Sequence, residues 1–195
     1  MKKLAVSVPL LLLCAFPAFA HNLEITLKHD SEKEIQKQKQ LERLLKQYNL
    51  SKWIFTTKVL IDEGTQTPHS HPVLTLNTRQ LDDDLMTLST FVHEQIHWHE
   101  EAKAKQRDKA IEELKTLYPD APAGPPEGAR DQYSTYLHLL VCHLEYEAMK
   151  ELVGAEKAKG VLEALSRRFY KWVYRTVLDD GPKIAAVVAK HNLKI

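Results

Sequence analysis

Two cysteines in 195 residues, Cys14 and Cys142, are too few for a disulfide framework. Six glycines and nine prolines exclude a collagen-like or low-complexity chain. The 27 basic and 26 acidic residues leave a net charge of only +1, too small for a general phosphate-binding surface, so nucleic acid is not an expected partner. The apolar runs are also too few for a polytopic membrane protein. What remains is 44% hydrophobic and 27% charged, the balance of an ordinary globular chain, and this length suits one domain around one sizeable core.

Residues 1–20, MKKLAVSVPLLLLCAFPAFA, form a separate unit. Lys2 and Lys3 precede an apolar run, and Ala18-Phe19-Ala20 supplies the small residues that a signal peptidase inspects. The run is short and ends at Pro17, which favours a cleaved bacterial-type signal over an uncleaved anchor. The expectation is an exported protein, periplasmic or secreted, with residues 21–195 as a single mature domain and no stable membrane span. Cleavage would leave Cys142 as the only cysteine, so stability must come from the packed core, with help from a metal.

Along the mature part, 23–28 alternates apolar and polar residues as a half-buried strand does. Ser31 opens a helix whose apolar face carries Ile35, Leu41, Leu44, Leu45 and Tyr48. Residues 53–61 and 72–79 are β-rich and are predicted to be neighbours in a small sheet. From Leu81 the pattern is helical to about Tyr118, with one of Asp82, Asp83 and Asp84 capping the start. The closely spaced prolines of 119–128 predict a loop. Helices are then expected over 131–152, 156–178 and 183–191. The fold class is therefore α+β, mainly helical, with a small N-terminal sheet.

The segment 93–97 reads His-Glu-Gln-Ile-His. Two histidines four apart share one helical face and can grip one Zn²⁺ through their ring nitrogens. Glu94, beside the first, is placed to take a proton from a water that the metal activates. With 10 histidines in the chain, chance predicts roughly 0.04 such motifs. Phe91, Val92, Ile96 and Trp98 make its surroundings the least polar part of the helix, unlike a solvated face.

The motif resembles that of the zincin metallopeptidases. Thr90 three residues ahead, and the uncharged Gln95, Ile96 and Trp98, extend the resemblance, while His99 stands where the family has a hydrophobic residue. The resemblance implies a zincin-like fold with the motif on its active-site helix, one catalytic Zn²⁺ per chain and a peptide or protein substrate. It also gives the strand ahead of the motif helix, here 72–79, the role of holding substrate backbone by strand addition, beside the alternative of an ordinary sheet strand.

A third protein ligand is required. No Gly and His follow the motif as in metzincins, and His99 lies on another helical face. The segment 137–152 offers Glu145, Glu147 and Glu151, with His138 and His143 as nitrogen alternatives. At about 100° per residue, Glu145 falls near the apolar line through Leu137, Val141, Leu144, Ala148 and Leu152, whereas Glu147 falls on the polar face. A carboxylate among apolar neighbours needs a cation or donors to meet it, so Glu145 is the expected ligand and Glu147 the alternative. The segment Glu145-Tyr146-Glu147-Ala148 also resembles the gluzincin third-ligand stretch, with Met149 where that pattern has Asp.

For the oxyanion, Tyr133, Tyr136, His138, Tyr170, Tyr174 and Arg175 are candidates, and Tyr174 is the expected one. A place in the core face of Phe169, Trp172, Val173 and Val177 is its alternative role. His69 and His71 are expected to be polar loop residues rather than a second metal site. Cys142 is expected to be buried and inert. The function predicted is an exported zinc metallopeptidase using His93, His97, Glu145 and Glu94. Two alternatives are a catalytically inactive zincin-like binding protein and a periplasmic metal-binding protein that uses the many histidines.

Overall fold

The computed structural model describes residues 23–195. The predicted signal segment and its cleavage point lie outside the described residues. Three strands, β1 (Glu24–Leu27), β2 (Lys58–Ile61) and β3 (Leu74–Leu76), form a parallel sheet in the order β1-β2-β3. Six α-helices and a short 3-10 helix at Ser51–Trp53 complete the regular elements of the described residues: α1 (Glu32–Gln47), α2 (Asp84–Ala102), α3 (Ala104–Leu117), α4 (Gln132–Val153), α5 (Ala155–Leu165) and α6 (Lys171–Lys190). The fold is thus mainly helical with a small sheet, as the patterning predicted. Among the described residues no helix is long and apolar enough to cross a membrane.

Local chemistry sets the helix starts. The side chains of Ser31, Asp83 and Asp131 accept from the backbone N–H three residues on, capping α1, α2 and α4. Of the three aspartates before α2, Asp83 is the cap, and Asp84 instead takes a two-pronged bond from Arg43 at 2.6 and 2.8 Å. The Pro-rich loop is fastened to α4 because Thr135 Oγ1 accepts from Ala129 N and donates to Pro122 O. Gly128 sits where any Cβ would collide with Pro122 O and Thr135 Oγ1.

Three helix boundaries differ from expectation. The predicted helix over 81–118 breaks at Lys103, which leaves helical geometry and sends its ammonium to the carbonyls of Asn192 and Lys194. The charged stretch there holds too few apolar residues to reveal a turn. The predicted helix over 156–178 stops at Leu165, and α6 restarts after Tyr170, a non-glycine residue at φ +46°. Phe169, expected in the core, is 54% exposed as a result. The predicted break at Asp180-Gly181-Pro182 is only a kink, with Asp180 out of helical geometry relieving the missing proline donor.

Helix α4 is the axis of the helical part, packing against α2, α3, α5 and α6. Its buried residues surround it, from Tyr136 through Leu139, Val141, Leu144 and Met149. The apolar core runs continuously from Leu41 and Trp53 to Val188 and Leu193. Gln95 joins α2 to the sheet side: its Oε1 accepts from Phe55 N and Thr56 N at 2.7 and 2.9 Å, and its Nε2 donates to Thr56 O.

Lys37 is buried between α1 and α2, donating to Gln40 Oε1 at 2.9 Å and Thr87 Oγ1 at 2.8 Å. Burial pushes its ammonium down to about 8, against the pull of Asp84 and Asp83. Between pH 8 and its ordinary value near 10.5 the unfolded chain binds the extra proton, so this residue makes stability rise with pH. Tyr118, raised to about 12 chiefly by burial, acts oppositely only above pH 10. Urea midpoints measured from pH 7.5 to 9.5 are expected to climb for the wild type relative to Lys37→Met, by an amount on the order of 1–2 kcal/mol. Parallel curves for the two proteins would contradict this account.

Candidate metal centre

Helices α2 and α4 run antiparallel past each other at their polar midpoints. Ser89 meets Glu145, His93 meets Glu145 and Cys142, and His97 meets His138. The imidazole centroids form a near-equilateral triangle: His93–His97 5.0 Å, His97–His138 5.2 Å and His93–His138 5.6 Å. One ring nitrogen from each lies within 4.8 Å of the others. Tetrahedral zinc with Zn–N of about 2.0–2.1 Å sets its nitrogens roughly 3.4 Å apart, so the triangle is within small side-chain adjustments of that shape.

The outward ring nitrogens are already committed. His138 Nδ1 lies 2.6 Å from Ser134 O, and a carbonyl only accepts, so Nδ1 carries the proton and Nε2 is left as a free lone pair. His93 Nδ1 lies 2.9 Å from Glu145 Oε2, so a carboxylate holds the ring by that nitrogen. His138 is driven down to about 3 by burial and by the neighbouring His93, and His97 is held well below its usual value by burial and by the same cluster. Both are therefore neutral, as metal ligands must be. Burial opposes charge on His93 too, but its bonds to Cys142 and Glu145 hold its proton well above the usual range.

Glu145 is 1% exposed and meets three donors: Ser89 Oγ, His93 Nδ1 and Tyr174 OH at 3.1 Å. Those donors supply what burial of this carboxylate demands, where the apolar neighbours alone suggested a cation. Its carboxylate groups with His93 and Cys142, not with His97 and His138. Burial pushes the Cys142 thiol up, keeping it protonated. Glu147, the alternative ligand, is on the surface in an ion pair with Lys150 at 2.8 Å, and Glu151 pairs with Lys52. His143 is buried but belongs to none of the candidate metal groupings. His99 is bonded to Leu193 O at 2.9 Å, tying down the C-terminal residues.

Glu94 is 7% exposed, and its carboxylate makes no hydrogen bond among the described residues. Burial pushes it up to about 7, against the charges of His93 and His69. That value suits a group exchanging protons near neutrality. Tyr174 OH, the expected oxyanion donor, is spent on Glu145. Tyr170 instead lays its ring 4.4 Å from His138, and its hydroxyl has no partner among the described residues. Burial raises its phenol, which stays protonated as a donor. A tyrosine in left-handed backbone geometry beside polar machinery is strain of the kind that functional sites retain. The sequence offers Tyr170 only as one of several oxyanion candidates, and its left-handed geometry is hidden because the helix pattern runs straight through.

The segment 69–71 closes the opposite side. His71 stacks on Trp98 with centroids 4.2 Å apart and pairs with Glu101, while Trp98 Nε1 donates to Ser70 O at 3.0 Å. His69 exchanges both backbone bonds with Thr75, so the outer edge of β3, predicted to hold substrate, is already occupied at its middle residue. His69 and His71 are thus loop residues fastened by hydrogen bonds and stacking. Comparisons with family models, curated proteins and solved structures found no match to this chain.

Proposed function

We propose that the protein is a zincin-like zinc metallohydrolase that cleaves peptide bonds, with His93, His97 and His138 as the metal ligands. The observation that carries this reading is the convergence of three imidazoles, two of them held neutral by burial, on the helix turn that also carries the unpaired carboxylate of Glu94. Three nitrogen ligands suit zinc, and a fourth position is left for the reaction. His138 takes the place expected for Glu145, and Glu145 becomes the carboxylate that orients His93. The basic and apolar first twenty residues support an exported site of action.

The metal, when bound, would acidify a water and polarise the scissile carbonyl. Glu94 accepts the proton of the attacking water and hands it to the departing amine. Tyr170 donates to the carbonyl oxygen as negative charge builds there. Tyr174 and Ser89 hold Glu145, and Glu145 holds His93; all three are positioning residues.

Zinc-loaded mature chain, incubated with a mixed peptide pool, is expected to cleave, to stop on chelation and to resume when zinc returns. In the same assay Tyr170→Phe is expected to keep its zinc and its KM while kcat falls about 10²–10³-fold. Cleavage insensitive to chelation, or none from fully metallated protein, would refute the hydrolase reading. Unchanged kcat in Tyr170→Phe would remove that residue from the mechanism.

A further inference from the structure

A cavity of about 220 Å³ opens beside His97, lined by His71, Glu100, Glu101, Arg107 and Leu137. Glu100 follows His97 by three residues on α2, one helical turn along the ligand face. Its side chain is 1% exposed, and neither carboxylate oxygen has a hydrogen-bond partner. A buried carboxylate is normally met by donors or a cation, and an orphan one is strongly unfavourable. The other buried carboxylates near the centre are accounted for, since Glu145 takes three donors and Glu94 feels the charges of His93 and His69.

We propose that Glu100 is the specificity residue of a subsite that receives a basic substrate group, the ammonium or guanidinium of a side chain flanking the scissile bond. This rests on the hydrolase reading above. The cavity borders a metal ligand, so a chain bound there would extend directly from the reacting carbonyl. The other charges on its wall are already compensated in part: the Arg107 guanidinium bonds Asp108 at 2.8 Å, and Glu101 pairs with His71. The carboxylate left without a hydrogen-bond partner is that of Glu100, and a modest turn of its buried side chain toward the cavity would offer both oxygens to a guanidinium or an ammonium. Burial pushes its carboxyl up to about 7, with Arg107 and Lys103 pulling the other way, so an arriving cation would also keep it ionised.

The test compares zinc-loaded wild type with Glu100→Gln and Glu100→Met on a mixed peptide library, with cleavage sites read by mass spectrometry. Glu100→Gln removes a buried charge without changing shape, and Glu100→Met checks that result in a second background. The wild type is expected to cut beside Lys or Arg at least tenfold faster than beside Met or Gln. Both variants are expected to lose that preference while still cutting beside neutral residues. A wild-type profile indifferent to charge, or a basic preference that survives both substitutions, overturns the proposal and leaves the hydrolase reading intact. If no peptide is cut, the hydrolase reading fails, and n-butylamine and guanidinium binding to the zinc-loaded proteins, measured by calorimetry, decides the subsite separately. Binding at least tenfold weaker in Glu100→Gln supports it, and equal affinities overturn it.

Discussion

Glu94→Gln is expected to lower kcat for peptide hydrolysis by about 10²–10⁴-fold while zinc content stays near one per chain. The substitution keeps the shape of the side chain and removes only its capacity to take a proton. None of the three imidazoles bonds to Glu94, so the rings have no reason to move. Stability is expected to rise slightly or hold, because a carboxyl driven up to about 7 by burial is a mild liability in the folded chain. Zinc stoichiometry and circular dichroism measured beside kcat separate this outcome from simple unfolding. A variant that retains wild-type turnover would exclude Glu94 as the base. One that loses zinc together with activity would mean that Glu94 belongs to the metal shell.

The second large effect is at His138. Replacing it with Ala leaves two imidazoles from one helical turn, and two ligands do not hold zinc tightly. Zinc affinity is expected to fall by far more than the roughly 10–100-fold typical of losing a supporting partner, which is the loss expected for Glu145→Gln. Glu145→Gln is preferable to Glu145→Ala, since Ala would strand the buried donors of Ser89, His93 and Tyr174. Glu147→Ala should change zinc affinity negligibly, because that side chain is in a surface pair with Lys150. If Glu145→Gln loosens zinc more than His138→Ala, the ranking of ligand against supporting residue is reversed.

The helix bearing His93, Glu94 and His97 was legible because spacing alone determines which side chains share a helical face. The burial of Glu145 was legible for the same reason, from its apolar neighbours on α4. What met Glu145 was not legible: Ser89 and His93 come from α2 and Tyr174 from α6, and only the packing of those two helices on α4 brings them together. The approach of His138 to His93 and His97 depends on that register as well. One signal was present in the sequence, since His138, Cys142 and Glu145 recur at i, i+4 and i+7 on one face of α4. An antiparallel partner carrying Ser89, His93 and His97 meets that face in reverse order. Tyr170 was among the oxyanion candidates but could not be preferred to Tyr174, because a helix restart through left-handed geometry looks like continuous helix in a hydrophobic pattern. The break at Lys103 was hidden by a run of charged residues with too few apolar ones to show a change of direction.

A crystal of the zinc-soaked mature chain, with an anomalous difference map collected at the zinc edge, addresses the arrangement most directly. One peak is expected about 2.0–2.1 Å from a ring nitrogen of each of His93, His97 and His138, with Glu145 still bonded to His93 Nδ1. A peak coordinated by Glu145, with the His138 ring turned away from it, would contradict the three-imidazole centre.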